Sequence, residues 1–216
     1  MNFTPIAPTD LKGDIDKKLL DKAEHLLLEA AKLEGSHTPQ ILQAVKNLLY
    51  TVNSYYSNQI ESEGTHIVDI ERAMQQDYSK DTKKRNLQIL SLAHIKVQKE
   101  CEAYFANKPK GSAYDKEFIK GIHKSFYSKE GMEPFLHLTH ENMQEHVTPG
   151  EIRKRAVKVG NHLAPDYSEL DSLMHEFEHL YTKSLELNDA TQLIYILSSH
   201  HRLMWIHPFL DGNGRT

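Results

Sequence analysis

Residues 207–216 read HPFLDGNGRT and follow directly on an apolar helical pattern. The proline at position 208 ends that helix, because the residue before a proline disfavours the helical conformation. Gly212 and Gly214 let the backbone approach a ligand closely, and successive N–H groups in such a loop form a concave site for anions. The stretch therefore predicts a loop that binds phosphate.

Three ionisable side chains accompany the glycines within these residues. His207 can accept a proton near neutral pH, since the usual pKa of imidazole is about 6.5. Asp211 offers a hard carboxylate oxygen for Mg²⁺, and Arg215 offers a permanent positive charge with a fork of donors. A base, a metal ligand and a cation so close together favour a phosphate site over a chance turn.

The stretch resembles the signature of the Fic family, His-x-Phe-x-(Asp or Glu)-Gly-Asn-Gly-Arg-x-x-Arg, at every position from His207 through Arg215. The second arginine of the signature would fall three residues past Thr216, so we expect a chain truncated inside its own active site. A helix N-terminus normally strengthens an anion site. This fragment is therefore expected to bind ATP poorly and to be inactive or weakly active.

The resemblance implies a protein adenylyltransferase that uses ATP and Mg²⁺ to move AMP to a Ser, Thr or Tyr hydroxyl of a target protein. His207 is then the catalytic base and Asp211 the metal ligand. The resemblance implies that the remaining loop residues bind the phosphates: Gly212, Asn213, Gly214 and Arg215. Members of the family also transfer UMP or phosphocholine, and these groups stay open here.

Two upstream segments extend the resemblance. Residues 148–162 are similar to the family's segment with the target-docking flap, which here contains Val157, Lys158, Val159 and Gly160. Residues 57–61, SNQIE, match the inhibitory motif (Ser or Thr)-x-x-x-Glu-(Gly or Asn), with Ser62 in place of the last residue.

The inhibitory motif implies autoinhibition by a helix near residues 55–62. Glu61 would place a carboxylate where the γ-phosphate belongs, and Ser57 is the other motif residue. The resemblance also allows regulation through a homodimer.

Helical periodicity covers most of the remaining chain, so we predict an all-α, Fic-type helical bundle with a small β-hairpin flap. Apolar stripes predict helices over 19–31, 41–56, 87–104, 118–126, 170–187 and 190–206. The breakers of residues 107–111 suggest a boundary between an N-terminal helical region, 1–110, and a Fic core, 111–216.

Composition narrows the class of protein. A formal charge of −4 gives no general attraction to nucleic acid. The single cysteine, Cys101, suits a reducing compartment, and the longest apolar run, 193–197, is far too short to cross a bilayer. We expect a cytoplasmic protein without a membrane segment.

Two other functions compete with the transferase. Residues 175–179 read HEFEH and match the zinc metallopeptidase pattern, with His175 and His179 as ligands. The apolar face of that helix, however, contains Phe177 and Tyr181 and leaves both histidines on the opposite side. A non-enzymatic helical adaptor that keeps the loop as a scaffold is the other alternative.

Overall fold

The computed structural model of the chain describes residues 14–108, 112–140, 143–187 and 189–216. These ranges contain seven α-helices and two short antiparallel hairpins, which confirms the predicted all-α fold with a small β flap. The helices are α1 Asp14–Ser36, α2 Pro39–Ile60, α3 Ile67–Met74, α4 Thr82–Asn107, α5 Lys116–Tyr127, α6 Leu170–Thr182 and α7 Ala190–Ile206. The strands are β1 His137–His140, β2 Met143–His146, β3 Lys158–Val159 and β4 His162–Leu163.

The helices follow the apolar periodicity closely, with two differences. The predicted helix over 170–187 is α6 only as far as Thr182, and a 3₁₀ turn, Lys183–Glu186, follows it. The short α3 has no counterpart among the predicted helices, because eight residues hold too few apolar repeats to be recognised.

The described residues form two compact units, each built from several chain segments. One unit draws on residues up to 42, 112–116 and 154–208, and the other on 43–111, 117–153 and 209–216. The predicted boundary at residues 110 and 111 stays a prediction, since residues 109–111 lie outside the described part of the chain.

In the first unit, α7 packs against both α1 and α6. Its core is aromatic, with Tyr181 within 5.0 Å of Phe177 between ring centroids. The β3–β4 hairpin turns at Gly160, whose φ of +58° suits glycine. His162 Nε2 donates to the carbonyl of Trp205 at 2.8 Å and so attaches the hairpin to α7.

In the second unit, the core lies between α4, α5 and the chain on either side of the first hairpin. Its buried members are Leu90, Ala93, Val97, Phe126, Tyr127, Met132 and Val147. Burial of this kind contributes roughly 25 cal/mol per Å² of apolar surface. The core thus fixes α4 and α5, the two helices against which the loop of residues 209–216 packs.

The buried face of α2 is polar, although its sequence shows an apolar stripe. Leu48 and Leu49 of that stripe are each at least half exposed. The buried residues include Ser54, whose hydroxyl donates to the Ser91 carbonyl at 2.9 Å, and Asn58, whose amide donates to the Ser91 hydroxyl at 3.3 Å. Hydrogen bonds to α4 therefore hold α2 in place.

The end of α2 is a Schellman turn. The N–H of Glu63 donates to the Asn58 carbonyl at 2.9 Å, and the N–H of Ser62 donates to the Gln59 carbonyl at 3.0 Å. The residue after such a helix end takes the left-handed conformation, and Ser62 has φ +61°. This is a physical reason for Gly or Asn at the corresponding position of the inhibitory motif, because those residues tolerate positive φ.

We expect Ser62→Gly to stabilise the protein by up to about 1 kcal/mol, because glycine removes the strain of a side chain at positive φ. Chemical denaturation of the two proteins measures the difference. Ser62→Ala is the matched control, since it removes the hydroxyl but keeps Cβ. An equal gain from Ser62→Ala would show that backbone strain is not the cause.

Candidate functional site

The loop of residues 209–216 is closed by its own asparagine. The backbone N–H of Phe209 donates to Asn213 Oδ1, and Asn213 Nδ2 donates back to the Phe209 carbonyl, both at 2.9 Å. Gly212 has φ +73°, and the N–H of Arg215 donates to its carbonyl at 3.1 Å. The Asn213 side chain is thus used inside the loop, so its contribution to a ligand would come from its backbone N–H.

Gly214 carries the contact that defines the site. Its N–H donates to Glu61 Oε1 at 2.7 Å, and its carbonyl accepts from the Ser57 hydroxyl at 3.0 Å. A Cβ at position 214 would lie 2.5 Å from Glu61 Oε1. The loop therefore binds a carboxylate oxygen closely, and in this structure that oxygen belongs to Glu61, the residue directly after α2.

Arg215 points into the interior of the same unit. Its side chain is 1% exposed, donates from Nη1 to Glu63 at 2.7 Å and from Nη2 to Asp211 at 3.0 Å, and lies over the Phe126 ring. Among the described residues, no acceptor lies within hydrogen-bond distance of its Nε. Two carboxylates thus neutralise a guanidinium that cannot lose its proton.

The Asp211 carboxylate is held from two sides. Its Oδ2 accepts from Arg215 and, at 2.5 Å, from the hydroxyl of Tyr127. Its main-chain carbonyl lies 3.2 Å from His123 Nε2. Asp211 remains partly exposed, with 26% of its side chain accessible, so one edge of a fixed carboxylate is available to a cation.

The electrostatics of the site shift two neighbouring pKa values. Burial raises the pKa of Glu61 above its usual value, and Asp211 and Glu63 add to the increase, while Arg215 opposes it. Burial and then the positive charge of Arg215 lower the pKa of His94 to about 4. His94 is therefore neutral at physiological pH, and Glu61 is the group whose charge the site disfavours.

His207 lies at the C-terminal end of α7 and is described with the first unit. Its N–H donates to the Leu203 carbonyl at 2.9 Å, and its backbone is left-handed, with φ +50° and ψ +63°. A side chain other than Gly or Asn in this conformation costs roughly 1–2 kcal/mol. Residues held in such strain cluster at functional sites. The side chain is half-buried rather than sequestered in the core.

The flap residues are accessible. Lys158, Val159 and Gly160 are exposed and Val157 is half-buried, and the facing strand exposes Leu163. A short hairpin with exposed apolar side chains can pair with an extended segment of another protein.

The histidines of the zinc pattern are both exposed on α6. Glu176, which would act as the base of a peptidase, faces Arg202 at 3.5 Å. No group of three or more potential metal ligands occurs in the described ranges. The geometry gives the peptidase alternative no support. Within the same ranges, no helix combines the length and apolarity needed to cross a membrane.

Three residues of the site were not predicted from the sequence: Glu63, His123 and Tyr127. The last two lie in the apolar stripe of α5, more than 80 positions before Asp211, so nothing local connects them with the loop. Glu63 stands two residues after Glu61, and the acidic repeat is the signal that could have revealed it.

Comparison with known proteins finds the same family in the second half of the chain. Residues 113–216 match the Fic/DOC family. Over 80 residues the chain is 41% identical to the protein adenylyltransferase Fic of Drosophila mojavensis and 40% identical to that of Drosophila virilis. The matched stretch is 36% of this chain and 16% of each relative, so the chain spans a small part of those proteins.

Solved structures show the fold. The chain resembles a Fic domain-containing signaling protein from Bacteroides thetaiotaomicron, with TM-score 0.67 and 16% identity over 89% of this chain and 68% of that one. It also resembles Fic-1 from C. elegans, with TM-score 0.65 and 15% identity over 93% of this chain and 54% of that one. These similarities confirm the predicted Fic-type helical fold.

The raised pKa of Glu61 leads to a stability prediction. A raised carboxyl pKa means that the folded protein binds this proton more tightly than the unfolded chain, so ionisation of Glu61 above its folded pKa costs stability. We expect Glu61→Gln, which keeps an acceptor for the Gly214 N–H, to raise Tm at pH 7. The difference should shrink as the pH falls towards 4.5, the ordinary value.

Thermal melts across this pH range measure the effect. Glu63→Gln is the matched control with the opposite sign, because it removes a partner of the buried Arg215. A lower Tm for Glu61→Gln than for wild type at pH 7 would contradict the interpretation.

Proposed function

We propose that this chain carries the nucleotide site of a protein adenylyltransferase that moves AMP from ATP to a hydroxyl of a target protein, because residues 113–216 match the Fic/DOC family. The observation that carries the proposal is the bond from the Gly214 N–H to a carboxylate oxygen. It supports a loop that binds anionic oxygen, and phosphate oxygens are the ligands such loops commonly take.

In the proposed reaction, a Ser, Thr or Tyr hydroxyl oxygen of the target forms a bond to the α-phosphorus of ATP. The bond from that phosphorus to the bridging oxygen breaks, and pyrophosphate leaves. His207 accepts the hydroxyl proton, which a half-buried imidazole at a helix end can do. The phosphates accept hydrogen bonds from the backbone N–H groups of residues 212–214. Arg215, buried between Asp211 and Glu63, holds the loop in place beneath them.

The residues present fit a magnesium ion. Asp211 supplies a hard carboxylate oxygen on a loop that also binds anions, and Mg²⁺ bound with a nucleotide commonly uses one or two carboxylates together with the phosphates. When bound, Mg²⁺ supplies positive charge against the leaving pyrophosphate. The chain's own part is to hold the Asp211 carboxylate in a fixed orientation through Tyr127 and Arg215.

The proposal includes autoinhibition by α2. Glu61 accepts a hydrogen bond from the N–H of Gly214, and the hydroxyl of Ser57, one turn earlier, donates to the Gly214 carbonyl. Both backbone polar groups of this glycine are therefore bound by α2 and the residue that follows it. A polyphosphate would have to displace a carboxylate from that N–H and would meet the negative charge of Asp211 and Glu63 as well. Both contact and charge therefore oppose nucleotide binding.

The exposed hairpin residues Lys158, Val159 and Gly160 are the proposed docking flap for the target protein. An extended target segment could pair with a strand edge there. In this mode of binding the target hydroxyl would lie on or beside an extended segment of the target.

We expect Glu61→Gly in the native protein to raise self-modification about 10- to 100-fold. The variant removes one hydrogen bond to a charged group, worth roughly 1.5–3 kcal/mol, from the inhibited state in which Glu61 binds Gly214. The expected increase is that free energy converted to a rate ratio. Incorporation of labelled ATP measures it. Glu71→Gly, at an exposed position of α3, is a control for a lost surface carboxylate. Equal incorporation by wild type and Glu61→Gly would refute the inhibitory role.

We expect His207→Ala in the Glu61→Gly protein to lower transfer about 10²- to 10⁴-fold, the usual contribution of a general base. ATP binding should persist, because the loop of residues 209–216 is unchanged. Intact-mass spectrometry detects the added adenylyl group, and calorimetry measures binding. Undiminished transfer by the His207→Ala variant would show that His207 is not the base. If the Glu61→Gly parent does not bind ATP, the result would favour the helical adaptor.

A further inference from the structure

We propose that Tyr127 and His123, one turn apart on α5, are positioning residues that fix Asp211 for a metal-bound nucleotide. Tyr127 holds the carboxylate of Asp211, and His123 holds its main-chain carbonyl. The inference rests on the proposed function, because it assigns these two side chains a part in the same site.

Tyr127 is suited to orient a carboxylate. Its hydroxyl lies 2.5 Å from Asp211 Oδ2, and the residue is 2% exposed. The ring packs edge-on against Phe126 with centroids 5.0 Å apart, so the hydroxyl is placed by the core. The phenolic O–H is the donor in this contact, because an ionised carboxylate only accepts hydrogen bonds.

The Tyr127 hydroxyl also limits what can stand at position 212. A Cβ on Gly212 would lie 2.7 Å from that oxygen. The residue after the proposed metal ligand is thus a glycine both because φ is +73° and because Tyr127 occupies the space of a side chain. The Tyr127 hydroxyl is therefore packed directly against the residue that follows the proposed metal ligand.

His123 links three segments of the second unit. Its Nδ1 accepts from the Gly150 N–H at 2.8 Å, which requires the proton to be on Nε2. Nε2 can then donate to the Asp211 carbonyl, 3.2 Å away. The ring is fully buried and stacks on Phe209 with centroids 4.0 Å apart. Both ring nitrogens and one ring face are thus committed to holding the loop.

Together the two side chains leave Asp211 little freedom. Oδ2 is engaged by Tyr127 and Arg215, and the backbone is engaged by His123. Carboxylates that ligate metals are themselves hydrogen-bonded, and loss of such a partner typically weakens metal affinity or activity 10- to 100-fold.

Tyr127→Phe tests the proposal, since it removes one oxygen atom and keeps the ring in the core. Calorimetry compares ATP binding with Mg²⁺ and with EDTA, in native protein carrying Glu61→Gly. We expect Tyr127→Phe to weaken Mg-ATP binding about tenfold and to leave metal-free ATP binding unchanged. Tyr181→Phe is the matched control, because Tyr181 is equally buried and its hydroxyl donates to the Ser198 carbonyl in the other unit.

The outcomes separate the two proposals. Equal Mg-ATP affinity with and without Tyr127→Phe overturns the positioning role of Tyr127 and leaves the proposed function intact. An equal loss with Mg²⁺ and with EDTA also overturns it, since that result indicates a purely structural role. If the Glu61→Gly parent binds no ATP with Mg²⁺, the proposed function fails and the positioning role fails with it.

His123 provides a second variant, which is needed if Tyr127→Phe does not fold. Because His123 holds the main-chain carbonyl of Asp211, we expect His123→Leu to weaken Mg-ATP binding about tenfold and to weaken ATP binding in EDTA by a smaller factor. His123→Gln, which keeps an acceptor and a donor, should restore most of the affinity. Binding by His123→Leu that equals the parent's would overturn the role of His123.

Discussion

The buried guanidinium of Arg215 is the constraint on which the site depends. An arginine keeps its charge under all physiological conditions, and a charge that is almost fully removed from water is tolerated only with well-placed partners. Asp211 supplies one partner from the same loop, and Glu63 supplies the other from the segment after α2. The charge of one side chain therefore ties the loop to the helix that is proposed to inhibit it.

This arrangement makes the inhibited site electrostatically crowded. Glu61, Glu63 and Asp211 bring three carboxyl groups around one guanidinium. Burial raises the pKa of Glu61, and the neighbouring carboxyl groups of Asp211 and Glu63 raise it further. The contact to Gly214 is strong because it is charge-assisted, yet the charge itself is unfavourable where it lies. The hydrogen bond from Gly214 fixes the position of Glu61, while repulsion from Asp211 and Glu63 opposes its charge. A cation bound with a nucleotide would reduce the repulsion among these carboxyl groups.

The sequence revealed the parts of the site that are contiguous in the chain and missed those that are not. Residues 207–216 could be assigned as a loop because base, acid, glycines and arginine are neighbours, and the structure places Gly212 at positive φ within it. Ser57 and Glu61 could be paired with the loop only through a resemblance, and the structure brings both to Gly214. Tyr127 and His123 had no such signal, because aromatic residues on an apolar stripe are equally consistent with ordinary core packing.

The fold shows the same limit in α2. Periodicity correctly predicted a helix there, but the apolar stripe of α2 is not its buried face. Hydrogen bonds through Ser54 and Asn58 bury the polar side instead, and this rotation places Ser57 and Glu61 towards the loop. A polar contact between α2 and α4 is directional, because a hydrogen bond weakens steeply when donor, hydrogen and acceptor are misaligned. A helix that must place one carboxylate against one N–H needs that directionality, so a polar buried face suits the proposed inhibitory role of α2. For the same reason the apolar stripe did not predict which face of α2 is buried.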